Sequence, residues 1–311
     1  MFAGYFQSAC YRNLNGVRGL AGWRWLFIVC GCITLPVAFF GAIVFPARPD
    51  SKNPSWLLTA DQIALARKRV NEDGAEAPKV HLNKEAFTKI FKTWHWLAFV
   101  TLYYVFNQSM ITNGSPFNLF LKAHSGTYSI SQINNLPTGQ SALSIIAALV
   151  GCYWADASGK HWLPSICICT CMTFGSICMA VWNIPIGLKF FAFYVAGLGG
   201  ALNPLFMAWA STVTLKSAEE RAVTISSMNA IGQALLAGLN IVTFPTPSAP
   251  RFKFGWWWVM GNNFAQISLV IAIMMLHRRE KRRDLQLIEG RISDQDIESV
   301  EFKGLRKDLD T

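Results

Sequence analysis

Polar residues are scarce in seven stretches of this chain and crowded between them. The stretches run over residues 25–45, 94–112, 136–155, 162–182, 188–210, 223–244 and 256–276. Each has about twenty residues, the length an α-helix needs to cross about 30 Å of hydrocarbon. None shows the strict alternation of a half-buried strand. The pattern predicts an all-α integral membrane protein, a helical bundle with seven full transmembrane helices.

The chain ends need separate readings. Residues 1–10 (MFAGYFQSAC) are apolar and rich in small residues, but about ten residues cannot span a bilayer. They read as the outer end of a partial helix whose beginning lies upstream, so the chain is expected to be a C-terminal fragment of a longer protein. No basic n-region marks a cleavable signal. Residues 46–93 hold Pro46, Pro49, Pro54 and Pro78 and read as a cytoplasmic loop. Inside it, Thr59 is a candidate N-cap for an amphipathic helix over 62–70. Its Arg67-Lys68-Arg69 run is placed either against lipid headgroups or in solvent. Residues 277–311 read as a flexible cytoplasmic tail with a short helix near 294–301.

Charge sets the orientation. The 311 residues are 52% hydrophobic and 15% charged, with a net charge of +10. A basic excess can signal nucleic acid, but here the basic residues flank the spans as cytoplasmic anchors do. With loop 46–93 inside, the inner segments carry 21 Lys or Arg and the outer segments 6. The N-terminus is then external and the C-terminus cytoplasmic.

Other chemistry is thin. Seven of the eight cysteines lie in or beside apolar stretches, and Cys167-x-Cys-x-Cys171 places successive thiols about 200° apart on a helix. They read as packing residues, with no metal, no cofactor and no disulfide framework implied. A membrane enzyme needs paired carboxylates or metal ligands at span ends; Asp156 is the only acid there apart from Glu219 and Glu220, so an enzyme is not expected. Asn113-Gly-Ser115 is a glycosylation sequon weakened by Pro116.

Polar residues within spans are costly and point to a cavity or to helix–helix glue. Tyr103, Tyr104, Asn107 and Gln108 share one broad helical face. Asn203 precedes Pro204, which frees a backbone carbonyl. Asn229 and Gln233 are four apart, with Asn240 two turns on, and Gln140 opens the span at 136. The 103–108 and 229–233 faces are read as lining one substrate cavity. No acid, Lys, Arg or His lies deep in any span, and His95 sits at the membrane edge. Arg12, Arg18 and Arg24 on the outer side either attract an anion or anchor their loop.

Between the third and fourth stretches stands Gly151-Cys-Tyr-Trp-Ala-Asp156-Ala-Ser-Gly159-Lys160. It resembles the loop motif Gly-x-x-x-Asp-Arg-x-Gly-Arg-Lys of the major facilitator superfamily. Asp156, Gly159 and Lys160 keep the spacing; Ala157 replaces Arg, and Gly151 comes one residue early. Further segments are Gly19-Leu-Ala-Gly-Trp-Arg-Trp, Tyr128-Ser-Ile-Ser-Gln-Ile-Asn-Asn-Leu-Pro-Thr138, Glu219-Glu220-Arg221-Ala222 and Ala249-Pro-Arg-Phe-Lys-Phe-Gly255. Together they resemble the fungal allantoate and pantothenate permease group, anion:cation symporters of that superfamily. The resemblance implies twelve spans in two halves. Residues 1–45 would be the end of the N-terminal half (partial span five, span six), 46–93 the central loop, 94–276 the C-terminal six-helix half and 277–311 the tail. It implies proton-coupled transport of a small organic anion, such as pantothenate or allantoate, by alternating access in the plasma membrane. It gives Asp156, Gly159, Lys160, Glu220 and Arg221 a gating role. A seven-span receptor shares the topology, but the 48-residue first inner loop and the absence of Asp-Arg-Tyr after the third span oppose it.

Overall fold

The computed structural model describes residues 2–45, 57–72, 84–110, 115–124, 126–215 and 217–293. The sequon at Asn113 and the helix expected near 294–301 lie outside them, as does most of loop 46–93.

Thirteen α-helices follow one another among the described residues, with no strand. They are α1 (Phe2–Leu14), α2 (Gly22–Val44), α3 (Ala60–Glu72), α4 (Lys84–Phe91), α5 (Trp94–Ser109), α6 (Ser115–Ala123), α7 (Ile130–Asn135), α8 (Thr138–Ser158), α9 (Trp162–Val181), α10 (Ile186–Ala196), α11 (Leu202–Val213), α12 (Ala218–Thr243) and α13 (Lys253–Ser293). Five helical segments are long and apolar enough to cross a membrane: Gly22–Val44, Ile130–Ser158, Trp162–Val181, Ile186–Val213 and Lys253–Gln286. They coincide with five of the seven predicted stretches. The other two are helices as well. One, α5, has 16 residues, and the other, α12, has 26 and begins on Ala-Glu-Glu-Arg.

The chain divides into two compact units. The first comprises residues 1–88 and 121–139. Here α1 turns back onto α2 through Gly16 (φ +86°) and Gly19 (φ +71°), where the left-handed backbone suits glycine. The Asn15 side chain accepts a hydrogen bond from the Gly22 amide at 3.0 Å and fastens that turn. On α2 the side chains of Phe27, Phe39 and Phe40 stand exposed on a helix apolar all round, as a lipid-facing helix requires. In α3 the Thr59 side chain accepts from the Gln62 amide, and the Gln62 side chain accepts from the Thr59 amide. This capping box starts the helix where the sequence places it.

The second unit comprises residues 89–120 and 140–311. Its core is built by α5 and α13, which pack on each other and on α12 and α9 respectively. Phe99, Leu102 and Phe106 of α5 meet Cys169 and Met172 of α9, Phe206 and Trp209 of α11, Met228 of α12, and Val270 and Ile273 of α13. The predicted span 188–210 is broken: α10 and α11 are joined by a 3-10 turn at Gly197–Ala201. Pro204 has no N–H to give the carbonyl four residues back, so the regular ladder fails at this point. A Cβ at Gly197 would lie 2.7 Å from the Gln140 carbonyl, so α8 and the turn touch backbone to backbone.

One expectation needs correction. Residues 277–293, read as the start of a flexible tail, continue α13 without a break. The run Arg278-Arg-Glu-Lys-Arg-Arg-Asp-Leu contains no proline or glycine and is made largely of good helix formers. Polarity ends the apolar stretch; it does not end the helix.

Candidate functional site

The polar face of α5 gathers several hydrogen-bonding side chains in the second unit. Thr93 accepts from the Trp96 amide and starts the helix. Ten residues on, Tyr103 is buried and its hydroxyl donates to Asn203 Oδ1 of α11 at 3.1 Å. Asn107 is also buried and donates to the Tyr103 carbonyl at 3.0 Å. Across from them stands Gly232 of α12, where a Cβ would lie 2.5 Å from Asn107 Nδ2. Helix α12 therefore meets α5 at a residue that has no side chain.

Tyr104 is half-buried. Gln108 is buried, and among the described residues its Nε2 has no hydrogen-bond partner. An amide donor without a partner in an apolar setting costs about 1–3 kcal/mol, so such a group is set to receive a ligand or water. On α12, Met228 and Gly232 face the core while Asn229 and Gln233 are exposed. The structure thus brings Tyr103, Asn107 and Asn203 together and leaves Asn229 and Gln233 on the open side of α12. Gln140 is already engaged, since its Nε2 donates to the Phe193 carbonyl of α10 at 2.6 Å. The side chain of Asn240 lies outside the described residues.

The loop motif closes α8. Asp156 lies in its last turn, and Gly159 takes φ +63°, the left-handed conformation that ends helices. Lys160 follows, its amide bonded to Ser158 Oγ at 3.3 Å. His161 stands at the head of α9; burial lowers its pKa from the ordinary histidine value, and the nearby Asp156 carboxylate opposes that shift.

Two arrangements escaped the sequence reading. His95 Nδ1 lies 2.9 Å from Glu220 Oε1, and its Nε2 lies 2.9 Å from Glu280 Oε2. One ring therefore ties the starts of α5 and α12 to α13. The partners are separated by 125 and 185 residues, so no spacing rule could pair them. The second is on α13, where the buried residues Trp256, Val259, Asn263, Gln266, Val270 and Ile273 recur at steps of three and four. Asn263 and Gln266 are fully buried in this seam, and among the described residues their amide atoms have no partner. That signal was legible as two amides within an apolar 3-4 repeat.

No family model matches the chain, and no solved structure matches it. Curated relatives do. A pantothenate transporter of Saccharomyces cerevisiae is 27% identical over 93% of this chain and 58% of its own length. An MFS transporter of Pestalotiopsis fici is 30% identical over 91% of this chain and 54% of its own. A vitamin H transporter of Saccharomyces cerevisiae is 29% identical over 82% of this chain and 44% of its own. The chain spans about half the length of the curated relatives it matches.

Proposed function

We infer that this multi-pass membrane chain, related along nine-tenths of its length to transporters of the major facilitator superfamily, carries the C-terminal six-helix half of a symporter for a small organic anion. Pantothenate or a similar carboxylate vitamin is the substrate class, because relatives named for pantothenate and vitamin H transport match across most of the chain. The observation that carries the reading is the α5 face: Tyr103 and Asn107 are locked in place, and beside half-buried Tyr104 stands Gln108, whose Nε2 has no partner among the described residues. Neutral amides and phenols fix a solute by hydrogen bonds, and rigid neighbours keep those bonds preorganised. Asn203 orients Tyr103; Asn229 and Gln233 offer amides from α12.

Alternating access fits helices that meet at glycines and break at Pro204. Protons supply the coupling, the C-terminus faces the cytoplasm, and the plasma membrane is the site of action. Asp156, Gly159, Lys160, Glu220 and Arg221 form the inner-side gate.

The test joins this chain to the preceding half of a pantothenate-transporting relative, in cells that lack pantothenate uptake. Labelled pantothenate should accumulate, faster at acid pH. Gln108→Ala should raise the half-saturation concentration roughly ten-fold, the loss expected for one or two hydrogen bonds. Accumulation with Gln108→Ala kinetics equal to wild type would return Gln108 to a packing role.

A further inference from the structure

The first unit contains a cavity of about 240 Å³ between α1 and α7. Its walls are Ser8, Tyr11 and Arg12 on one side and Ser129, Ile130, Ser131 and Asn134 on the other. The two helices close at one end and part at the other. At Gly4 a Cβ would stand 2.6 Å from the Asn134 carbonyl, so the backbones touch. One turn on, Ser8 Oγ donates to Asn135 Oδ1 at 3.1 Å. A further turn on, the helices have separated far enough for Arg12 to span the gap, and its Nη2 donates to Ser131 Oγ at 2.7 Å.

That bond matters for what the cavity can hold. It fixes a long side chain that would otherwise lose rotamer freedom when a ligand arrived. It uses one of the five guanidinium N–H donors. The capping box at Ser129 fixes the opposite wall: the Gln132 amide donates to Ser129 Oγ, and the Ser129 amide donates to Gln132 Oε1. The Ser129 hydroxyl proton stays available to a ligand.

Among the described residues no acid lines the cavity, and the local sequence supplies none. Residues 1–49 contain no Asp or Glu, and neither do residues 86–155. Arg12, Arg18, Arg24 and Lys122 thus stand in stretches of sequence that hold no carboxylate to offset them. We propose that Arg12, with Tyr11, Ser129 and Ser131, forms a binding site for the carboxylate of a small organic anion, separate from the α5 face. Arg12 takes the carboxylate, the hydroxyls take its second oxygen or a ligand hydroxyl, and Ile130 covers a short apolar tail. The volume lies below the roughly 300–1,000 Å³ of sites for drug-sized ligands, which limits the guest to a small acid. The ligand class rests on the carrier reading above; the site itself does not.

The experiment measures binding of labelled pantothenate, and of biotin as a second carboxylate, to the purified 311-residue chain in nanodiscs at low salt. Arg12→Gln should weaken binding roughly ten- to hundred-fold, as loss of a charge-assisted pair does. Arg12→Lys should keep part of the affinity, because it keeps the charge and loses the fork. Ser131→Ala, which frees the guanidinium, should weaken binding less than Arg12→Gln. Arg18→Gln should stay within two-fold of wild type. Equal affinity for wild type and Arg12→Gln overturns the site, as does an equal loss in Arg18→Gln or no binding of either acid to wild type. Arg12-dependent binding without uptake by the joined protein would keep the site and reject the carrier reading. Uptake without Arg12-dependent binding would do the reverse.

Discussion

At Gly232 a single methyl group decides how α12 meets α5. An added Cβ would fall 2.5 Å from Asn107 Nδ2 and 2.9 Å from Tyr103 Cδ1. Both neighbours are hydrogen-bonded and buried, so neither has a free rotamer to retreat to. Gly232→Ala should cost roughly 1–3 kcal/mol, the usual penalty of overpacking, and lower the thermal midpoint of the purified protein. An unchanged midpoint would mean that α12 slides aside. The opposite sign is expected on α13. Gln266 is fully buried, and among the described residues its amide has no partner, so Gln266→Leu should raise the midpoint. A fall would mean that the amide has a guest. At this scale the sequence marked Tyr103, Asn107 and Gln108 as polar residues in an apolar span. It could not say that Gln140 would be taken by a carbonyl on α10, because that depends on the close approach at Gly197.

Between elements, His95 joins three helices that no local pattern connects. Its ring nitrogens each lie 2.9 Å from a carboxylate, one on α12 and one on α13. Groups that share a network do not act independently. The single substitutions His95→Ala and Glu280→Ala and their double should therefore be non-additive by about 0.5–3 kcal/mol in unfolding free energy. Additive losses would reduce the triad to two unrelated surface contacts. Element existence was legible almost throughout, since twenty-residue apolar runs leave the chain few alternatives to helix. Element ends were not. The kink that Pro204 invites takes the form of a 3-10 turn at Gly197–Ala201, whose extent no pattern gave, and α13 outlasts its apolar portion. Hydropathy reports which surface meets lipid; backbone geometry follows proline, glycine and helix propensity.

For the whole molecule, positive charge and apolar length act together. The two units each contain helices whose large apolar side chains are exposed, such as Phe39 on α2 and Trp257 on α13. Bilayer lipid is the solvent that makes such a surface stable. A fluorescent protein fused after Thr311 should remain inaccessible to externally added protease in intact cells and be digested once the membrane is opened. Digestion in intact cells would invert the orientation drawn from the 21-to-6 distribution of basic residues.

The length of α13 has a mechanical consequence. At 1.5 Å per residue its 41 residues extend about 60 Å, roughly twice the hydrocarbon thickness. The portion beyond Glu280, the residue held to His95, extends α13 by about 20 Å as a charged mast, rooted in the same rod that packs on α5 and α9. A rod amplifies rotation at its root: a rocking of about 10° displaces the tip by about 3.5 Å through lever length alone. Small tilts at the packed end of α13 are thereby turned into larger displacements of its charged end.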